Sequence, residues 1–146
     1  MKTPALAIDH GTRRTGFAAT DALRIATRPL EVWEGAGDGG ELVERIAELA
    51  DEREVGTLVV GLPMNMDGSE GPRAKEVRAF VERLRARLPA LAIALQDERL
   101  STKTAEELQR EAGVPAARRR AVRDSWSALV ILRDWIESGE RGSERD

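Results

Sequence analysis

The sequence predicts an α/β domain built on a mixed five-stranded sheet, with three antiparallel strands followed by two parallel ones joined through helical crossovers. Three observations point there. The N-terminal stretch PALAID, GTRRTG, FAATD reads as a hairpin. Two continuous apolar runs of strand length, TLVVGL (57–62) and LAIAL (91–95), follow later. Helical periodicity fills the segments between and after them. At 146 residues, 41% of them hydrophobic, the chain has the length and apolar content for one domain with a real core.

The first strand covers residues 4–9 and ends in Asp9. GTRRTG then turns the chain, with Gly11 and Gly16 as turn residues, and FAATD returns it. A third strand is expected over Ile25–Trp33, with Pro29 placing it at an edge or bulge. Gly35 to Gly40 is a flexible connector. A helix begins near Glu41 on the stripe Leu42, Val43, Ile46, Leu49 and Ala50. After TLVVGL, a second helix opens at Gly71-Pro72, proline being suited to a first helical turn. LAIAL leads into Gln96-Asp97-Glu98. Ser101 suits the cap of a third helix over about 102–112, which Gly113 and Pro115 stop. The last helix spans about 117–138 and carries Trp126 and Trp135, both read as core. The domain is expected over residues 1–138, with a disordered tail at 139–146.

Composition removes several chemistries. With no cysteine, disulfides, thiolate zinc sites and a cysteine nucleophile are excluded. The single histidine, His10, leaves no room for a multi-histidine metal cage and disfavours a Ser-His-Asp triad. No apolar run approaches the ~20 residues of a membrane span, and MKTPALAID lacks a signal-peptide layout, so the expected location is cytoplasmic. A net charge of −3 argues against a general polyanion-coating surface. Residues 116–123 (AARRRAVR) nevertheless carry Arg118, Arg119, Arg120 and Arg123 with no acid. This local basic patch lies near the start of the last helix.

In sheets of this kind, chemistry gathers at strand C-terminal ends. Asp9 ends the first strand, either as a turn aspartate or as a functional acid. Asp97 and Glu98 end the last strand, either capping the next helix or facing the site; alternation lets only one of the two face it directly. Asp124 lies on the last helix among Ser125, Ser127 and Ala128, small residues that permit close packing on the sheet. Its bland reading is an i−4 pair with Arg120. Three acids converging from two strand ends and a helix would suit two Mg²⁺ or Mn²⁺ ions, hard cations that prefer oxygen. Such a pair of ions clamps an in-line displacement at phosphorus.

Four ordered blocks, AIDHGTRRTGFA, VVGLPMNMDGSEGPRA, DERLSTKTAEE and RDSWSALVIL, together resemble the YqgF family. These are bacterial proteins described as pre-16S rRNA nucleases or Holliday junction resolvase-like proteins, with an RNase H-like fold. The blocks span residues 7–132, and the second is the most specific, through Gly61-Leu62-Pro63, Asn65, Asp67-Gly68 and Gly71-Pro72-Arg73. The resemblance implies Asp9, Glu98 and Asp124 as catalytic, metal-binding acids, with Mg²⁺ or Mn²⁺ as cofactor. It also implies a metal-dependent phosphodiester hydrolase acting on the 5′ end of pre-16S rRNA, or on branched DNA as a junction resolvase. True junction resolvases place an acid on the strand matching TLVVGLP, where this sequence has none; either Glu98 substitutes from the next strand or the site is degraded. The expected nucleic-acid contacts are Arg13, Arg14, Asn65, Arg73, Arg99, Arg118, Arg119 and Arg120. The loop from Pro63 to Glu70 is expected to be a mobile flap beside the acids. His10, where the family often has an apolar residue, is a minor candidate for substrate contact. Junction resolution would require a homodimer.

Two other functions stay open. DHGT also resembles the first phosphate motif of actin-type ATPases, but that class needs two closing domains and a second DxG motif, and neither is present. A non-catalytic nucleic-acid or ribosome-assembly module is the other, against which the retained acids argue.

Overall fold

The computed structural model describes residues 2–98 and 101–140, the side chains of 101 and 102 excepted. Its sheet opens with β1 (Ala5–Asp9) and β2 (Arg14–Thr20), antiparallel, with Asp9 opposite Gly16. The turn between them is tighter than the sequence suggests. A Cβ on Gly11 would overlap the Arg14 carbonyl, so glycine lets the chain reverse early and Arg14 already lies in β2.

The third strand, expected as one piece, is two: β3 (Thr27–Pro29) and β4 (Trp33–Glu34). Both pair antiparallel with β2, but out of step. Between Pro29 opposite Ala18 and Trp33 opposite Thr15, the edge advances four residues while β2 retreats three. One extra residue on one strand is a bulge. Proline brings no N–H to the ladder, which favours the break there. The sheet therefore has six strands rather than five, ordered β3-β2-β1-β5-β6 with β4 also beside β2.

The rest follows the apolar periods. α1 (Gly40–Glu52), β5 (Thr57–Leu62), α2 (Pro72–Arg87) and β6 (Ala92–Asp97) come in turn, with β5 parallel to both β1 and β6. β6 runs two residues past Leu95, the end expected from its apolar run. β5 is buried throughout because helices cover both faces. On one side Leu42, Ile46, Val77 and Phe80 of α1 and α2 pack with Leu6, Ile8 and Val60. On the other, α4 (Ala116–Glu137) sets Ala128, Ile131 and Trp135 against Ala5, Ala7, Val59 and Ala94. α3 (Ser101–Glu111) packs on α4.

The alanines on the α4 side let that helix come close, and at Gly16 it touches backbone to backbone. Gly16, read from the sequence as a turn residue, lies inside β2. A Cβ there would overlap the Asp124 carbonyl and the Ser125 nitrogen. Alongside, the Phe17 N–H donates to Ser125 Oγ at 3.1 Å, while the Phe17 carbonyl accepts from Leu30 N–H at 2.8 Å. A helix serine thus pairs a β2 amide beside the bulge.

The first two residues of the expected tail, Gly139 and Glu140, are among the described ones. Gly139 takes a positive φ after α4 (φ +81), and the Glu140 N–H returns to the Trp135 carbonyl. The Glu140 carboxylate then accepts from Arg24 Nη1 at 2.5 Å, while Arg24 lies 5.0 Å from the Trp135 ring centroid. Residues 141–146 of the expected tail lie outside the described residues. Among the described residues, no helix is long and apolar enough to cross a membrane.

If the Gly16 contact seats α4, then Gly16→Ala overpacks it and should cost about 1–3 kcal/mol. Urea denaturation measures this. A midpoint equal to wild type would mean that α4 is seated by other contacts.

Candidate active site

β1, β5 and β6 run parallel, so their C-terminal ends open on one edge of the sheet. Alternation then decides which side chains meet. Ala5 and Ala7, Val59, and Ala94 belong to the α4-side core, so Asp9, Gly61 and Glu98 continue that face. α4 supplies Asp124 to the same face, its backbone against Gly16, the residue opposite Asp9. The Asp9 carboxyl hydrogen-bonds Glu98 and feels the charges of Asp124 and Arg73. Of the adjacent pair at the end of β6, Glu98 meets Asp9, whereas the charge of Asp97 is felt at Asp134, far along α4.

Glu98 also bears on the strand that lacks an acid. A Cβ on Gly61 would lie 3.0 Å from Glu98 Cδ and 3.1 Å from its Oε1. The glutamate carboxylate therefore lies over the end of β5, where a Cβ would also overlap Ile131 Cδ1 of α4. The Glu98 N–H extends the ladder to the Leu62 carbonyl at 3.2 Å, which fixes where that side chain starts.

Burial first, then the charge of Asp124, push the Asp9 pKa up to about 7, against the opposing hydrogen bond from Glu98 and charge of Arg73. Two carboxyl groups in hydrogen-bond contact hold a proton between them. Asp124 is instead held by Arg14: Nε donates to Oδ2 at 2.9 Å, and Nη2 donates to the Ala121 carbonyl at 2.5 Å. This replaces the Arg120 pair considered from the sequence. With Asp124 turned to Arg14, the described residues contain no ready-made group of three His, Asp or Glu side chains around an ion position. The donor chemistry still fits a hard divalent cation: carboxylate oxygens, with a proton where a cation's charge would serve.

His10 is a structural residue here. It is 7% exposed and stacks on Phe80 with centroids 4.3 Å apart. Arg73 Nη2 donates to its carbonyl at 2.7 Å and approaches Nδ1 at 3.3 Å. Since arginine only donates, Nδ1 accepts, and the Nε2 proton goes to the Gly37 carbonyl at 2.8 Å. Burial lowers the His10 pKa, consistent with this neutral form. Arg73, expected at a phosphate, is engaged by His10 and, through Nη1, by Glu76 at 3.1 Å, while its side chain stays 38% exposed. Asn65 faces its own loop, donating to Ser69 Oγ at 2.9 Å, and Met64 and Glu70 bridge the loop base. The loop expected to act as a mobile flap carries these hydrogen bonds along its length.

The basic residues divide. Arg13, Arg118 and Arg120 are exposed. Arg119 Nε donates to the Val114 carbonyl at 2.8 Å, and Arg123 pairs Glu106 at 3.6 Å. Arg99 lies outside the described residues. Sequence reasoning missed the spacing roles of Gly16 and Gly61 and the hold of Arg14 on Asp124. The signal for the first two was available: a glycine inside a strand marks a close approach. Nothing in the sequence pairs Arg14 with a residue 110 positions away.

Residues 3–138 match the family described as "RuvX: Holliday junction resolvase". A "Putative pre-16S rRNA nuclease" of Pelotomaculum thermopropionicum is 41% identical over 136 residues, covering 93% of this chain and 88% of that protein. One from Anaeromyxobacter sp. strain Fw109-5 is 45% identical over 132 residues, covering 90% and 95%. Among solved structures, Thermus thermophilus RuvC in complex with a Holliday junction substrate aligns with a TM-score of 0.58 at 13% identity, covering 94% and 96%. The fowlpox virus Holliday junction resolvase aligns at 0.60 and 7%, covering 93% and 99%. These alignments establish an RNase H-like resolvase fold.

The buried carboxyl pair carries a stability signature. A carboxyl raised to about 7 favours the folded state below the ordinary aspartate range, and that advantage is lost as pH rises through 7. Metal-free wild type should therefore be less stable at pH 8 than at pH 5, by about 2–4 kcal/mol from this site. Asp9→Asn should lack that decline and equal or exceed wild type at pH 8. Urea midpoints across pH in EDTA decide it, and parallel profiles for the two proteins would contradict the buried pair.

Proposed function

We propose a function from one premise: this chain belongs to the RuvX Holliday junction resolvase family, the YqgF-like family that its motifs resemble. It is a nuclease that hydrolyses phosphodiester bonds, and its substrate is the 5′ extension of pre-16S ribosomal RNA, as the names of its 41–45% identical relatives suggest. The observation that carries the reading is the contact of Asp9 with Glu98 beneath Asp124, at the strand ends where this sheet gathers polar groups.

Asp9, Glu98 and Asp124 would hold Mg²⁺ or Mn²⁺. When bound, such an ion supplies Lewis-acid stabilisation and a water of lowered pKa. The chain's own part is positioning. Asp9 and Glu98 would release the proton they share to solvent where a cation took its place. Asp124 is kept beside them by the Gly16 contact and its carboxylate is held by Arg14 until then. Arg73, fixed on His10 and Glu76, places positive charge near Asp9 and steadies the end of β1. Exposed Arg13, Arg118 and Arg120 are the phosphate-guiding charges, which act on nucleic acid without reading bases.

A second reading, cleavage of four-way junction DNA, is favoured by the likeness to resolvase folds that take junctions. It needs two copies of the site acting together, hence a homodimer.

Incubating the protein with Mg²⁺ and either a pre-16S RNA 5′ extension or a four-way DNA junction separates the readings. Cleavage of RNA alone is the expected result. Asp9→Asn, Glu98→Gln and Asp124→Asn should each lower the rate by about 100-fold or more, while Asp97→Asn stays near wild type. Full activity in all three variants would remove the acids from the chemistry, and an inert wild type would leave a non-catalytic binding module.

Charge guidance has its own readout. Substituting Arg118 and Arg120 together by alanine should weaken binding to all sequences alike and flatten the dependence of log affinity on log salt by about 1–2 units. Unchanged affinity and slope would reduce these two arginines to helix solvation.

A further inference from the structure

The guanidinium of Arg14, at the start of β2, lies against the first half of α4 and engages Asp124. Nε donates to Asp124 Oδ2 at 2.9 Å. Nη2 donates to the Ala121 carbonyl at 2.5 Å and approaches the Arg120 carbonyl at 3.5 Å. Exposed Arg118 and Arg120, the phosphate-guiding charges of the proposed function, belong to the same stretch of helix. A nucleic-acid strand drawn to them meets the guanidinium of Arg14 next.

Nothing locks that guanidinium in place. The side chains of Arg14 and Asp124 are 37% and 31% exposed, and an ion pair open to solvent is weak. The Ala121 carbonyl lies inside α4, where the helical ladder offers it the N–H four residues on, so the departure of Arg14 strands no backbone group. The contact nonetheless obstructs a cation. It occupies Asp124 Oδ2, and it sets a positive charge beside the place where Asp9, Glu98 and Asp124 would hold a metal. A phosphodiester removes both obstacles. Its oxygens only accept, they match the forked donors of a guanidinium, and they offset its charge.

We propose that Arg14 is a positioning residue that exchanges Asp124 for a substrate phosphate, so that nucleic acid, rather than the cation alone, frees the third acid. The inference rests on the reading that the three acids hold a metal for nucleic-acid cleavage, and it adds an order to that reading. The strand docks on Arg118 and Arg120, takes Arg14, and leaves Asp124 to the site. Such coupling is reciprocal: nucleic acid and cation each tighten the other by the same factor.

The exchange is isolated in the full-length protein in EDTA, with a fluorescein-labelled single-stranded RNA followed by anisotropy. Asp124→Ala releases Arg14 and should tighten RNA about 5-fold, whereas Arg14→Gln should weaken it. In the Arg14→Gln background there is no arginine to release, so Asp124→Ala should change affinity by less than about 2-fold. Equal effects of Asp124→Ala in the two backgrounds, or weaker RNA binding on that substitution, would overturn the exchange. An Arg14 that only seats α4 gives the first of these results. If Arg14→Gln does not fold, Asp97→Asn becomes the control, since it also removes one negative charge at the end of β6 near the acids. It should change RNA affinity by less than about 2-fold, and a gain equal to that of Asp124→Ala would overturn the exchange. Mn²⁺ binding without nucleic acid, followed by electron paramagnetic resonance, gives a second readout. Arg14→Gln should hold the ion about 5-fold more tightly than wild type, and equal or weaker binding would contradict the obstruction. Incubation of wild type with Mg²⁺ and RNA keeps the two ideas apart. Cleavage together with additive effects removes the exchange and keeps the nuclease; coupled effects without cleavage keep the exchange and remove the nuclease.

Discussion

The site depends on one close approach: helix α4 lies directly on strand β2 at Gly16, where there is no side chain to hold it off. Everything the acids do follows from that distance. Gly16 is the residue opposite Asp9, so a helix seated on Gly16 delivers Asp124 to the end of β1 without further adjustment. The same contact lets Ser125 take the Phe17 amide that faces the bulged edge, so polar satisfaction and helix position are set together. A larger residue at position 16 would move α4 outward, and the third acid with it.

A second glycine plays the same part on the neighbouring strand. Over Gly61 there is room for the Glu98 carboxylate, which reaches across from β6 to lie above an acid-free strand and meet Asp9. Metal-free, the two carboxyl groups share a proton and Asp124 rests on Arg14. On the proposed reading, the like charges that would meet around a cation are kept apart or neutral in its absence, so the acids do not unfold their own domain.

Much of this was legible in the residues themselves. TLVVGL reads as a doubly covered strand and is one, from Thr57 to Leu62. The apolar stripes and the Gly71-Pro72 start gave the helices to within a residue or two. The edge strand was less legible. Val32 and Trp33 look as strand-like as Arg28, and only pairing against β2 reveals the extra residue between them. Gly16 was misread because a glycine after GTRRT fits a turn as well as a packing contact, and nothing local separates the two. The choice between Asp97 and Glu98 needed the parity of β6, and LAIAL alone does not say how far that strand continues. The contact of Arg73 with His10 and the bonds within the loop at 63–71 arise from partners distant in sequence or from loop hydrogen bonds that have no periodicity.

The central claim, that Asp9, Glu98 and Asp124 form one cation site assembled by the α4 contact, is tested most directly by Mn²⁺ binding followed by electron paramagnetic resonance. Wild type and Asp97→Asn should hold the ion alike, while Asp9→Asn, Glu98→Gln and Asp124→Asn should each bind more weakly by about 10-fold or more. Retention of Mn²⁺ by Glu98→Gln with its loss in Asp97→Asn, or binding unaffected by all three substitutions, would contradict the account.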